Sequence, residues 1–188
     1  MKKQTEDKEF LLRFGARVNL GRILDYKRHA GIALDAAAKR WESTRISDAD
    51  HLAGKMRTDF KALLNQSVFL MIFGYLEELL FIIAKTRGID LPDRTAGLSK
   101  YKHLVKKLLS ADLSCLDSWE FLRDAAIIRN AFLHAAGRVD FMRNPENLRG
   151  VVRKHAECYV IENSRLKVTA KGVERLENNA EDLVLQLI

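Results

Sequence analysis

The segment IIRNAFLHAAGRVD carries Arg129, Asn130 and His134 within one short stretch. Histidine exchanges a proton near neutral pH, arginine is a fixed cation that stabilises charge developing on phosphate oxygens, and an amide orients either of them or a substrate. Together they could support transfer at phosphorus by an RNA 2′-hydroxyl, which brings its own nucleophile and needs no metal. DNA lacks that nucleophile. At about 100° per residue, Phe121, Ala125, Ile128 and Phe132 form one apolar helix face, and Leu122, Ala126 and Leu133 form a second apolar sector. A narrow polar stripe remains for Arg123, Asn130 and His134, with Asn130 and His134 neighbouring at i and i+4. Arg129 lies about 140° around the helix from His134, so its stem bends around the helix or meets a partner from another helix or subunit. The spacing equally accommodates a structural role, in which Arg129 pairs with Glu77 or Glu78 and His134 donates to a carbonyl in a helical core.

A second chemically distinctive stretch is Ser99–Leu109 (SKYKHLVKKLL), read as a basic amphipathic helix. With Arg94 before it, its Lys100, Lys102, Lys106 and Lys107 make the most basic surface of the chain, fitted either for phosphate contact or for plain solvation. Other motifs are poor. His155-Ala156-Glu157-Cys158 would be half of a zinc site, but no second pair with suitable spacing accompanies it. Phosphate loop, HExxH and nucleophile elbow are all missing, so no metal or cofactor is expected. His29, His51 and His103 read as surface positions, and the isolated Trp41 and Trp119 suggest no base-stacking run.

The elements that must position these residues are helical. Of 188 residues, 47% are hydrophobic and 30% charged, with only 2 Pro and 10 Gly, which predicts an all-α domain rather than a turn-dense sandwich. Residues 1–46 read as an N-terminal helical extension, one bent helix or two, interrupted by Gly15, Gly21 and Gly31. Residues 47–140 read as the core: a helix starts at Ser47-Asp48-Ala49-Asp50 with its small polar side chains capping, and ends near Arg87-Gly88. Its apolar half, Val68 to Ala84, is wet on almost no face and should be the central helix. Glu77 and Glu78 within it would each cost roughly 2.5–3.5 kcal/mol at a bilayer centre, so a buried helix explains it better than a membrane span. The motif helix is expected over Trp119–Ala136, capped by Asp117 or Ser118 and stopped at Gly137. Residues 141–188 read as a short helix, a β-hairpin turning at Glu162–Arg165, and a terminal helix opened by Thr169.

Charge and cysteines bound the setting. Lys and Arg number 32 against 25 Asp and Glu, a net charge of +7 that favours an anionic partner. Two cysteines, Cys115 and Cys158, and a polar N-terminus point to a reducing cytoplasmic compartment.

The residues also resemble a family. Arg129-Asn130-x-x-x-His134, preceded by two aliphatics and followed by Gly-Arg-Val-Asp, looks like the Arg-Asn-x-x-x-His form of the HEPN superfamily signature. SVFLMIFGYLEELLFIIAKTRG resembles the upstream HEPN helix, so the match covers roughly Ser67 to Asp140, with a weaker likeness through the hairpin and last helix. The resemblance implies a helical bundle, often dimeric, and commonly a metal-independent endoribonuclease of toxin–antitoxin, phage-defence or RNA-processing systems. Carried over, Arg129 and His134 would be the catalytic pair, Asn130 the polar helper, and Glu77 or Glu78 the acid holding Arg129. By their charge, Lys100, Lys102, Lys106, Lys107 and Arg123 would be the residues that contact RNA. One departure stands out: the tyrosine two residues after the histidine, often found in toxins silenced by a partner nucleotidyltransferase, is Ala136 here. The superfamily also has non-catalytic members that bind RNA, a nucleotide or a protein, and a plain helical interaction protein is the third reading.

Overall fold

The computed structural model describes residues 2–44, 46–93, 95, 97–110, 113 and 116–188, with side chains from residue 9 onward. The expectations that involve Arg94 and Cys115 fall outside the described residues. The described residues are mostly helical, as the composition predicts, with one small hairpin where the polar turn at Glu162–Arg165 predicts it.

The N-terminal segment is one helix, α1 (Lys2–Glu42). Its three glycines each cost about 1 kcal/mol against alanine, but tertiary contacts hold the helix together. Ala16 and Leu20 enter the common core, and the Tyr75 hydroxyl donates to the Gly15 carbonyl at 3.0 Å. Next, α2 (Ala49–Lys55), a π-helical turn (Met56–Phe60) and α3 (Lys61–Thr86) run as one continuous rod. Its start falls where expected, yet the Asp48 side chain makes no capping hydrogen bond. Its end is closed by Gly88 at φ +62 and by the Ile89 amide reaching back to Ala84 O.

This rod is long and apolar enough to cross a membrane by composition, and α3 is the central helix of the bundle, in contact with α1, β2, α5 and α7, the last three defined below. The expectation that it is wet on almost no face is corrected: Met71, Gly74, Glu78 and Phe81 are exposed. The other helices cover its remaining sides and leave this one open.

A 3₁₀ turn (Gly97–Tyr101) leads into α4 (Lys102–Leu109), so the basic stretch is α-helical only from Lys102 onward. The motif helix α5 (Asp117–Ala135) opens from Leu116, and neither Asp117 nor Ser118 caps it through a side chain. It closes through left-handed Ala136 and Gly137, with Gly137 N donating to Ala131 O at 3.0 Å. A Cβ at Gly137 would sit 3.1 Å from the Phe132 ring, so backbone conformation and space both require glycine there.

The remaining elements are a 3₁₀ turn (Val139–Phe141), α6 (Pro145–Lys154), capped by the Asn144 side chain, the hairpin β1 (Tyr159–Glu162) and β2 (Arg165–Val168), and α7 (Ala170–Leu187), capped by Thr169. Asn163 and Ser164 both take positive φ, as a two-residue hairpin turn of matching twist needs. Hairpin and motif helix are tied together: Leu166 N donates to Gly137 O, and Val139 N to Ser164 O, at 2.8 and 2.9 Å. The second tight spot is Gly172, where a Cβ would lie 2.4 Å from Cys158 O, letting α7 press against the hairpin's entry.

Candidate functional site

Phe121, Ala125, Ile128 and Phe132 of α5 are buried as their spacing predicts, and Phe132 meets Phe69 of α3 edge-on at 6.4 Å. The second sector divides. Leu122 is fully buried by the chain itself, whereas Ala126 is half-buried and Leu133 is 51% exposed.

Burial of the first face brings Arg129 against α3. Its Nη2 donates to Glu77 Oε2 at 3.1 Å, and its guanidinium lies 5.8 Å from the Phe73 ring centre. The side chains are 25% and 19% exposed, so the pair is largely shielded from water. Nη1 donates to Asn130 Oδ1 at 3.2 Å. Of the two acids the sequence left open, Glu77 holds the arginine; Glu78, about 100° further round α3, is exposed. The other carboxyl oxygen, Glu77 Oε1, is buried and bonded to nothing among the described residues.

Beside this pair opens a cleft of about 570 Å³. Helix α5 lines it with Trp119, Arg123, Ala126 and Asn130, the 3₁₀ turn and α4 with Ser99, Lys102 and Lys106, and α3 with Phe73 and Glu77. Helix spacing explains which lysines take part: Lys102 and Lys106 are four apart on one face of α4. Lys100, back in the 3₁₀ turn, and Lys107 do not line the cleft, so the expected four-lysine face is split. Arg123 sits at the rim, 3.7 Å from Glu120 and 3.6 Å from Asp124. His134 is exposed one turn beyond Asn130 and outside the cleft lining.

Sequence reasoning missed Trp119 and Gly97 as cleft residues, and Asp124 altogether. Asp124, almost fully buried on α5, accepts from Lys154 at 2.7 Å and lies 3.0 Å from His155 Nε2. Burial would raise this carboxyl, but hydrogen bonds from Lys154 and His155, with the Lys154 and Arg123 charges, hold it below the ordinary carboxylate value. His155 thus clamps α6 to α5 instead of contributing to a zinc site, and among the described residues no group of three or more His, Cys, Asp or Glu is placed to hold a metal. Tyr101, at the entry to α4, has its phenol raised by burial and by the nearby Glu77 charge.

No family model, no curated protein and no solved structure matches this chain.

Proposed function

We propose that the protein is a HEPN-type, metal-independent endoribonuclease, cytoplasmic and homodimeric, acting in a toxin–antitoxin, phage-defence or RNA-processing system. The observation that carries the reading is the Arg129–Glu77 pair at the edge of a cleft that also holds Lys102, Lys106 and Arg123. A cationic cleft of this kind suits a phosphate chain. Among the described residues two hydrogen bonds engage the guanidinium, which has five N–H groups to offer to acceptors such as phosphate oxygens.

In this mechanism the RNA 2′-oxygen attacks the adjacent phosphorus as the bond to the 5′-oxygen breaks. His134, exposed and able to exchange protons, takes the hydroxyl proton or returns one to the leaving oxygen, and Arg129 stabilises the charge on the non-bridging oxygens. Asn130 keeps its amide N–H groups for the substrate while its oxygen orients Arg129.

A second reading, a non-catalytic RNA-binding module, draws on the absence of His134 from the cleft lining. One experiment separates them: incubation with tRNA and structured RNAs in EDTA, comparing wild type with His134→Ala. Cleavage that survives EDTA, leaves a 2′,3′-cyclic phosphate and disappears in the variant supports the enzyme. Binding without cleavage supports the module, and cleavage that needs Mg²⁺ overturns the mechanism.

A further inference from the structure

The end of the motif helix carries an arrangement that its own packing does not explain. Just after Gly137 closes α5, Arg138 pairs with Arg165 of β2 as an antiparallel bridge. The flanking hydrogen bonds, Val139 N to Ser164 O and Leu166 N to Gly137 O, make this the close, non-hydrogen-bonded kind of pair. In such a pair the Cα atoms stand about 4.5 Å apart and both side chains leave the same face. That face is the outer one, since Leu166 and Val168 of β2 are buried while Arg165 is exposed. Like charges set directly opposite destabilise a strand pair. Among the described residues neither arginine has a carboxylate within 4 Å: Glu162, which pairs with Arg165 in the hairpin register, is engaged by Lys167 at 2.6 Å. An anion between the two guanidinium groups would offset their repulsion, and the planar fork of arginine matches phosphate oxygens.

The second observation is aromatic. Phe141, in the 3₁₀ turn that follows, is 66% exposed, and the Arg138 guanidinium lies 4.3 Å from its ring centre. This contact orients the arginine and leaves most of the ring in water. Cations for a sugar-phosphate chain beside an open π-face for a base are the parts from which single-strand sites are built. A phosphorylated or acidic peptide would engage the arginines and leave the ring without a role. Placement joins the group to the cleft: Asn130 and His134 lead along α5 to this end, and about 18 Å of helix separates Arg123 at the cleft rim from Ala135.

We propose that Arg138, Arg165 and Phe141 form a second RNA subsite beyond the end of the motif helix, in which the two guanidinium groups grip one phosphate and the phenyl ring stacks the adjoining base. The inference rests on the RNA reading above and extends the path of the strand past His134.

Fluorescein-labelled, 2′-O-methyl twelve-nucleotide oligo(A) cannot be cleaved by 2′-oxygen attack, so anisotropy reads binding alone. A matching abasic chain keeps the phosphates and lacks the bases. Arg138→Gln with Arg165→Gln should weaken both chains about tenfold and lower the slope of log affinity against log salt by about 0.7, the value for one phosphate of a single strand. Phe141→Ala should weaken oligo(A) about tenfold and leave the abasic chain within about twofold of wild type. Without RNA, the arginine variant should melt no lower than wild type, because an opposed like-charge pair is gone. An arginine variant that binds oligo(A) as wild type does overturns the inference, and the ribonuclease reading stands if Lys102→Gln with Lys106→Gln still weakens binding. Equal losses on the two chains in Phe141→Ala, or none on either, also overturn it. Failure of wild type to bind oligo(A) overturns both readings. If the double variant fails to fold by circular dichroism, Arg165→Gln alone, at an exposed strand position, should weaken both chains about threefold, and unchanged affinity there overturns the inference.

Discussion

Arg129 and His134 share helix α5, yet one is drawn inward to Glu77 at 3.1 Å while the other stands exposed beyond the cleft. Their roughly 140° separation around the axis makes this divergence unavoidable within one helix. It also separates their structural roles, since truncating Arg129 strands a shielded carboxylate and truncating His134 strands no hydrogen-bond partner among the described residues.

The two variants should therefore behave differently. His134→Ala is expected to unfold within about 0.5 kcal/mol of wild type while RNA cleavage falls by about 10²–10⁴-fold. Arg129→Ala should lose cleavage and also about 1–3 kcal/mol of stability, because Glu77 is left uncompensated. Thermal unfolding beside a cleavage assay checks both. A His134→Ala protein that still cleaves RNA removes the residue from the site.

The split of the basic stretch gives a second contrast. Lys102→Gln with Lys106→Gln should weaken RNA binding across sequences and lower the slope of log affinity against log salt by roughly 2. Lys100→Gln with Lys107→Gln, outside the cleft, should change both much less. Equal effects from the two pairs would mean that RNA does not follow the cleft.

Acid stability should report on Asp124. Its carboxyl is held below the ordinary value of about 3.9, so its contribution is present above the unfolded-state value and disappears as pH falls through the folded one. Asp124→Asn should cost about 1–3 kcal/mol near neutrality and should flatten the loss of stability on the acid side. Urea titrations of both proteins from pH 7 to pH 3 measure this; parallel curves would show that the Lys154 and His155 contacts contribute nothing to folding.

These residues also show what a sequence can and cannot disclose. Helix ends were legible because they are local: Gly88 and Gly137 close their helices through their own backbone conformations, and Asn163-Ser164 turns the hairpin through two neighbouring dihedral pairs. The face of α5 was legible through its period, and so was the need of Arg129 for an acid. The choice of Glu77 was not, since two adjacent carboxylates differ only in which side of α3 faces α5. Asp124 and His155 are 31 positions apart, and their pairing depends on how α6 returns to α5. An aspartate on an amphipathic helix carries no mark of burial in its own sequence. The exposed side of α3 was hidden for the opposite reason: Met71 and Phe81 are as apolar as buried residues, and only the arrangement of the other helices leaves them uncovered.

That uncovered side bears on assembly. Leu122 is satisfied within the chain, so it no longer calls for a partner, but Met71 at 44%, Phe81 at 41% and Leu133 at 51% exposure remain on α3 and α5. Large apolar groups left in water on the two helices that hold the Arg129–Glu77 pair favour a second copy packing there. A two-fold contact that set His134 of one chain beside the cleft of the other would supply the convergence that one helix cannot provide. Light scattering should give about twice the chain mass, and Leu133→Glu should shift the protein to monomer and abolish cleavage while the monomer stays folded. Mixing inactive Arg129→Ala with inactive His134→Ala protein should restore part of the activity if the functional pair spans two chains. A wild-type monomer at micromolar concentration that cleaves RNA at full rate would overturn the shared site, and the divergence of Arg129 and His134 would then have to be bridged by the RNA strand itself.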